Sequence, residues 1–400
     1  MKILFLSITI PYPPTDGGRI RVMNLLKQIA KKSEVTLLAL ETEPTDREGI
    51  EHLHQLGIEV ELVPHPPHLP PLTLRTGIKA LLDGKPITVA RYDLRDFRQR
   101  LHSVLTEKTF DLIHYEMLHV AQYVVETDVP SLLSQQNVDS HIWGRLCEQT
   151  RHPIRKLLFW WQRRTFARYE RVMSPKFNVV TCVSEIDRDL LQQVCPNQPI
   201  EVIPNGVDTS LYQPDPDAEE PATLIYTGSM DWYPNEDAVI YFADEIFPKI
   251  QAEHPDVQFY IVGKSPTERV AQLAQRQGVI VTGRVDEIKP YIGQATVYVV
   301  PLRIGGGTRL KILEAAAMGK AVVSTQVGAE GLHLTDGEEI FIADDPSRFA
   351  DAVNRLIADP ALRRQTGKAG RQHVEAEYDW QSIGARLHRL YESVVGKKSE

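Results

Sequence analysis

Short runs of β-branched and apolar residues alternate with stretches of helical periodicity from one end of the chain to the other. Ile3–Ile10 reads as a buried strand, followed by a Gly-Gly turn and a helix over Arg19–Lys31. Val35–Leu40 is the next strand, then a helix around Asp46–Leu56 and a strand at Ile58–Val63. Asp111–Tyr115, Ser131–Ser134, Val179–Val183 and Pro199–Ile203 continue this first series. A second series comprises Thr223–Thr227, Val257–Val262, Gly278–Thr282, Thr296–Pro301 and Ala321–Thr325, again with helices between. Strands that are apolar throughout, each separated from the next by a helix, predict a parallel sheet covered on both faces.

Between the two series lies Asp208–Pro221, which holds three prolines and five acids and reads as a linker. The expected organisation is an α/β chain of two doubly wound, Rossmann-like domains facing each other across a cleft. Residues 1–207 form the first domain and 222–378 the second, with a linker at 208–221 and a last helix in 379–400. Open α/β sheets bind ligands at their carboxyl edges, so the cleft is the expected site.

The 400 residues are enough for two cores, and 42% hydrophobic with 24% charged residues is globular composition. A net charge of −8 argues against a dedicated nucleic-acid binder, and no nucleic-acid partner is expected. Residues 1–205 carry 25 basic and 24 acidic side chains and 206–400 carry 20 and 29, so the halves stand at +1 and −9. Cys147, Cys182 and Cys195 lack the spacing of a zinc site or a disulfide framework. The apolar opening runs into Pro11-Tyr12-Pro13-Pro14 rather than a cleavage site, and no apolar run is long enough to span a bilayer. A cytoplasmic protein is expected. His65 and His68, in the proline-rich stretch Pro64–Pro71, have no third ligand nearby and read as parts of a solvated loop.

The strongest chemical signal is the segment Val300–Gly319, where a strand end is followed by Gly305, Gly306 and Gly307 and a helix starts near Thr308. Glycines let backbone amides approach an anion, and a helix N-terminus adds unpaired N–H groups and a positive dipole. Arg309 and Lys311 add charge beside that turn, as a diphosphate requires. Glu314, one or two turns on, either accepts hydrogen bonds from a sugar or ribose or is a solvated helix glutamate. Asp16-Gly17-Gly18 occupies the first strand–helix turn, either as a second backbone anion site or as a plain turn. The Asp-x-Asp sequences at Asp187–Asp189 and Asp215–Asp217 fall in a helix and in the acidic linker, neither suited to a phosphate-bound metal.

These residues carry a family resemblance. Gly17-Gly18, Val183-Ser184-Glu185, Val202–Asp208, Tyr226–Met230, Ile261-Val262-Gly263, Thr282-Gly283-Arg284-Val285 and the glycine-rich turn with Glu314-Ala315 together resemble the retaining glycosyltransferases of family 4, which have the GT-B fold. The opening Pro11–Gly18 with Arg21 is most similar to bacterial sugar transferases of exopolysaccharide gene clusters. The resemblance implies a nucleoside diphosphate sugar donor on the second domain and no cofactor. Glu314 would bind the ribose, and Arg309 and Lys311, with amides of Gly306 and Gly307, the diphosphate. Gly228, Gly305 and Thr308 would line the same site, and Arg284 and Val285 would contact the base. Gly17 and Gly18 would touch donor phosphate or acceptor, and the last helix would cross back to the first domain.

The chain departs from the family pattern at three places. The family's first glutamate is replaced by Gly306; Gly228–Trp232 lacks the usual cations, leaving Arg309 and Lys311 to compensate; and Glu116 stands where a histidine is usual, with His114 and His119 close by. Glu116 either acts catalytically on a cationic sugar or binds acceptor, or is a solvated strand-end acid.

The implied reaction is metal-independent, retaining transfer of a hexose from a UDP- or GDP-sugar to a hydroxyl, in polysaccharide or glycolipid biosynthesis. Two other readings are a nucleotide-sugar-binding protein without transfer activity and a non-hydrolysing sugar-nucleotide epimerase. Asn137 and Asp139 stand at a strand end and are candidates for acceptor binding. Arg151–Lys176 holds eight basic residues against one acid, Glu170, with Trp160, Trp161 and other apolar residues interleaved. It either packs on the first sheet or lies on an anionic membrane at its inner face, where a lipid-linked acceptor would be found.

Overall fold

A computed structural model describes residues 1–14, 16–41, 46–64, 77, 80, 83–150, 152–304 and 309–396. The chain forms two compact units, Met1–Pro204 with Ile383–Glu400, and Asn205–Ser382.

The first unit is built on seven parallel strands: β1 (Lys2–Leu6), β2 (Glu34–Glu41), β3 (Ile58–Pro64), β4 (Leu112–Glu116), β5 (Ser131–Ser134), β6 (Val179–Cys182) and β7 (Ile200–Val202). Their order is β3-β2-β1-β4-β5-β6-β7, so the winding reverses between β1 and β4. Leu4 lies opposite Thr36 on one side and Ile113 on the other. The helices are α1 (Gly17–Ala30), α2 (Asp46–Gln55), α3 (Ile87–Arg91), α4 (Arg95–Glu107), α5 (Asp139–Gln149), α6 (Pro153–Met173) and α7 (Glu185–Val194). Asp16 starts α1 by accepting the Arg19 N–H at 3.0 Å. Buried Val22, Leu25, Leu26 and Ile29 recur at three- and four-residue intervals and turn one stripe of α1 inward. β1 is shorter than the apolar run suggests. The Ser7 hydroxyl donates to the Thr9 carbonyl at 2.8 Å and accepts the Thr9 N–H, a local turn that replaces the ladder.

The second unit holds β8 (Thr223–Thr227), β9 (Gln258–Val262), β10 (Val279–Gly283), β11 (Val297–Val300), β12 (Val322–Ser324) and β13 (Phe341–Ile342). The order β10-β9-β8-β11-β12-β13 repeats the same winding, with its reversal between β8 and β11. Its helices are α8 (Tyr233–Tyr241), α9 (Phe247–Glu253), α10 (Glu268–Ala271), α11 (Lys289–Gln294), α12 (Leu310–Ala317), α13 (Pro346–Ala358) and α14 (Pro360–Glu377). Asp345-Pro346 and Asp359-Pro360 start two of them in the same way: the carboxylate accepts two backbone N–H groups, and proline takes the position whose N–H has no partner to lose. β13 is only two residues long and leaves no period in the sequence. The helix expected near Thr308 begins at Leu310.

Residues 208–221 form part of the second unit rather than a free joint. Tyr212 packs against its core and its carbonyl accepts from Arg371, and Glu219 pairs with Arg363 at 2.7 Å. The last helix, α15 (Trp380–Gly396), begins in the second unit and continues in the first from Ile383 onward.

Candidate functional site

In a doubly wound sheet the loops after the two strands flanking the reversal point splay apart and leave a crevice. In the second unit these are the turn after β8, Gly228–Trp232, and the segment between β11 and α12. Gly305, Gly306, Gly307 and Thr308 belong to that segment and lie outside the described residues. Arg309 stands at the N-cap of α12, and Lys311 is the second residue of the helix.

The half-buried Lys311 reaches back across the crevice. Its Nζ lies 3.9 Å from the centroid of the Tyr226 ring and donates to Asn235 Oδ1 at 3.1 Å. The same oxygen accepts from the Tyr226 hydroxyl at 2.6 Å, and Asn235 Nδ2 donates to the Ser229 carbonyl at 2.9 Å. Asn235 therefore locks the turn after β8 to the helix that carries the cation. Two glycines make this approach possible. A Cβ on Gly228 would stand 2.8 Å from Asn235 Nδ2 and 3.1 Å from Lys311 Nζ. Gly263, at φ +152°, lies so close that its Cβ would fall 1.7 Å from the Gly228 carbonyl oxygen.

Burial, with the charge of Arg309 added, pushes the Lys311 ammonium down to about 7, against the opposing pull of Glu314. Its direct partners are a ring face and an amide oxygen, and neither neutralises it. An arriving anion would improve this environment. Glu314 lies one turn further along α12 and accepts from the Tyr212 hydroxyl at 3.1 Å. Burial raises its pKa, opposed by Tyr212 and Lys311. Glu314 is thus half-buried and paired, not a solvated helix glutamate. Arg284 is exposed after β10, the edge strand two places from β8, and Val285 packs half-buried on the core of the unit.

In the first unit the corresponding loops follow β1 and β4. Glu116, at the end of β4, is buried, which corrects the reading of a solvated strand-end acid. Its Oε2 lies 2.9 Å from His114 Nε2, and its Oε1 accepts from Gln136 Nε2 at 2.8 Å. The Tyr391 hydroxyl of α15 lies 2.6 Å from His114 Nδ1. A chain of donors satisfies all three groups: Tyr391 donates to Nδ1, and the Nε2–H donates to the carboxylate. Burial holds His114 below the usual imidazole range. Burial alone would raise Glu116, but His114, the nearby charge of Arg21 and Gln136 together hold it below the usual carboxylate range. Arg21, also buried, donates to the carbonyls of Ile203 and Pro204 at 2.8 Å.

Gln136 also faces the first turn, since a Cβ on Gly18 would lie 3.3 Å from its Oε1. The structure therefore gathers Gly18, Glu116 and Gln136 at one sheet edge, with Gly17 exposed at the start of α1. Beside them the Gln135 side chain is buried with both amide atoms lacking a hydrogen bond, a costly state that a bound polar group would relieve. Asn137 is half-buried between β5 and α5. Asp139 sits apart, beside Glu170 of α6. Burial and that second carboxylate push it up to about 7.

The reading of residue types missed Tyr212, Tyr226, Asn235, Gln136 and Tyr391 as parts of these networks. Tyr226 stands within a motif already singled out, and the Gln135-Gln136 pair directly precedes the candidate Asn137. Tyr212 hides in a proline- and acid-rich stretch, and Asn235 has only the helix-starting Pro234 before it to mark its place.

Two family models match the chain: Glycosyltransferase Family 4 over residues 15–211 and Glycosyl transferases group 1 over 221–359. The phosphatidyl-myo-inositol mannosyltransferase of Mycolicibacterium smegmatis is 27% identical over 86% of this chain and 88% of its own length. The gpi3 subunit of the Schizosaccharomyces pombe phosphatidylinositol N-acetylglucosaminyltransferase is also 27% identical, over 56% of this chain and only half of the relative's length. Among solved structures, sucrose-phosphate synthase from Thermosynechococcus elongatus superposes with a TM-score of 0.72 at 20% identity, covering 99% of this chain and 100% of that one. Its fold is that of the GT-B glycosyltransferases, two α/β domains each with a parallel sheet.

Proposed function

The chain belongs to the family 4 glycosyltransferases, and we propose that it transfers a hexose from a UDP- or GDP-sugar to a hydroxyl acceptor with retention of anomeric configuration. The observation that carries this reading is Lys311, an ammonium held beside Gly228 by Asn235 and the Tyr226 ring, with Arg309 and Glu314 on the same helix. Two cations meet the need of a diphosphate, and Glu314 that of a ribose hydroxyl. The sugar–phosphate bond breaks with its electron pair on the departing diphosphate. The acceptor oxygen forms the new glycosidic bond, and its proton passes to the diphosphate. Charge grows on the leaving group as that bond lengthens, so Lys311 and Arg309 stabilise the transition state more than the ground state. The role given to these side chains needs no metal ion. Gly305, Gly306, Gly307 and Thr308 would add backbone amides at the same phosphates.

The acceptor falls to the first unit, at the edge formed by Gly17, Gly18, Gln135 and Asn137. Glu116 is enclosed, which favours a positioning role for it through Gln136 over direct contact with a sugar. Both relatives named above act, by their names, on phosphatidylinositol lipids. That supports a lipid-linked acceptor and a place in glycolipid or polysaccharide synthesis. The test incubates the protein with UDP- and GDP-sugars and a bacterial lipid extract in EDTA, with products read by mass spectrometry and anomeric NMR. A sugar–acceptor product with the donor's anomeric configuration supports the proposal. Donor binding without product, or an isomerised donor, would replace it with the binding-protein or epimerase reading.

A further inference from the structure

Exposed apolar side chains scattered singly over a surface are ordinary, but here they concentrate on one helix. Ile154 is 73% exposed, Leu157 66%, Trp160 46% and Leu158 44%, all in the first half of α6, with exposed Leu146 on the adjoining α5. Phe166, Tyr169, Glu170 and Met173 face inward, so α6 already buries one side against the first unit. The opposite side is a row at three- and four-residue spacing: Leu157, Trp160, Arg164, Arg168 and Arg171. Its first half is apolar and its second half cationic, and the Arg164 guanidinium lies 5.0 Å from the Trp160 ring. Glu170 is the only acid in α6, and it is turned inward, where the Ser140 N–H donates to it at 3.1 Å. The outward face therefore has no negative charge of its own, in a chain whose net charge is −8.

We propose that α6 is a docking surface for an anionic lipid bilayer, with Ile154, Leu157, Leu158 and Trp160 entering the headgroup boundary and Arg164, Arg168 and Arg171 meeting the lipid phosphates. Charge selects this occupant. A second copy of the chain would bring one arginine row against another when docked parallel and bury each row on apolar side chains when docked antiparallel, whereas anionic headgroups complement it. Among the described residues no helix is long and apolar enough to cross a membrane, so α6 lies along the surface. The surface is distinct from the Lys311 site, and the two stand or fall separately.

The test is co-sedimentation with vesicles of phosphatidylglycerol and phosphatidylcholine, against vesicles of phosphatidylcholine alone. Two doubly substituted variants are compared with wild type: Leu157→Ser with Trp160→Ser, and Arg164→Gln with Arg168→Gln. Wild type should pellet with the anionic vesicles and remain in the supernatant with the neutral ones. Loss of two surface cations should weaken binding about thirtyfold, and the apolar variant should bind at least as weakly. Both variants should keep the wild-type thermal unfolding curve and circular dichroism spectrum, showing that they are folded. Equal pelleting with both vesicle types, or variants that bind as wild type does, would overturn the proposal. So would a concentration-dependent dimer that the Leu157 and Trp160 changes abolish while no vesicle binds.

Discussion

Raising the pH should weaken nucleotide binding steeply, because the cation proposed to receive the diphosphate discharges near neutrality. Lys311 in the free protein titrates at about 7, pushed down by burial and by Arg309. A bound diphosphate supplies the missing counter-charge and returns the ammonium to at least the ordinary lysine value of about 10.4. Affinity then follows the charged fraction of the free protein: about one half at pH 7, about 9% at pH 8 and about 1% at pH 9. The dissociation constant should therefore rise about 50-fold between pH 7 and pH 9, or ~2.3 kcal/mol. The phosphates, whose last pKa is about 6, are about nine-tenths ionised already at pH 7 and contribute little titration in this window. Calorimetry at pH 8 in two buffers of different ionisation enthalpy should show uptake of about 0.9 proton per nucleotide bound. Lys311→Arg stays charged throughout and should give a nearly flat profile. A wild-type affinity that changes by less than about threefold over this range, with no proton uptake, would refute the reasoning. The same shift has a sign in folding. Below pH 7 the native state carries the full cost of the buried charge. Between pH 7 and the ordinary lysine value the unfolded chain binds more protons, so this group's contribution to stability improves as pH rises.

Three substitutions probe the supports of the two networks. Gly263→Ala would drive a Cβ into the Gly228 carbonyl at a backbone angle that disfavours side chains, and should lower stability by about 3 kcal/mol or more by urea denaturation. Asn235→Ala unties Lys311 from the turn after β8 and leaves the buried Tyr226 hydroxyl without its acceptor, and should weaken nucleotide binding about tenfold and lower stability by about 1–3 kcal/mol. Tyr391→Phe leaves His114 Nδ1 without its donor, and should destabilise the first unit by about 1–2 kcal/mol while leaving nucleotide binding unchanged.

The alternating apolar runs made both sheets legible, because strands covered on two faces carry unbroken hydrophobic stretches. Ser131–Ser134 and Thr223–Thr227 fall where the pattern places them. What the pattern could not carry was short or local. β13 is too brief to show a period, and β1 stops early at a Ser7–Thr9 turn that two hydrogen bonds create. In the site, Lys311 and Glu314 were legible because charge beside a glycine-rich turn is a chemical signal in itself. Asn235, Tyr212 and Tyr391 were not, since each acts through a partner 76, 102 or 277 residues away and nothing local records the pairing. Glu116 shows the same limit. Its residue type suggested an open strand end, while His114, Gln136 and Arg21 enclose it.

The most direct test of the account is calorimetric titration of wild type and Lys311→Ala with UDP, GDP and ADP, in EDTA and again with Mg²⁺. The account predicts that wild type binds UDP or GDP in preference to ADP and equally well with or without the metal. It also predicts that Lys311→Ala loses about a hundredfold in affinity while melting at or above the wild-type temperature. If no nucleotide binds, or if Lys311→Ala binds as tightly as wild type, the donor phosphates do not sit at this lysine and the central claim fails.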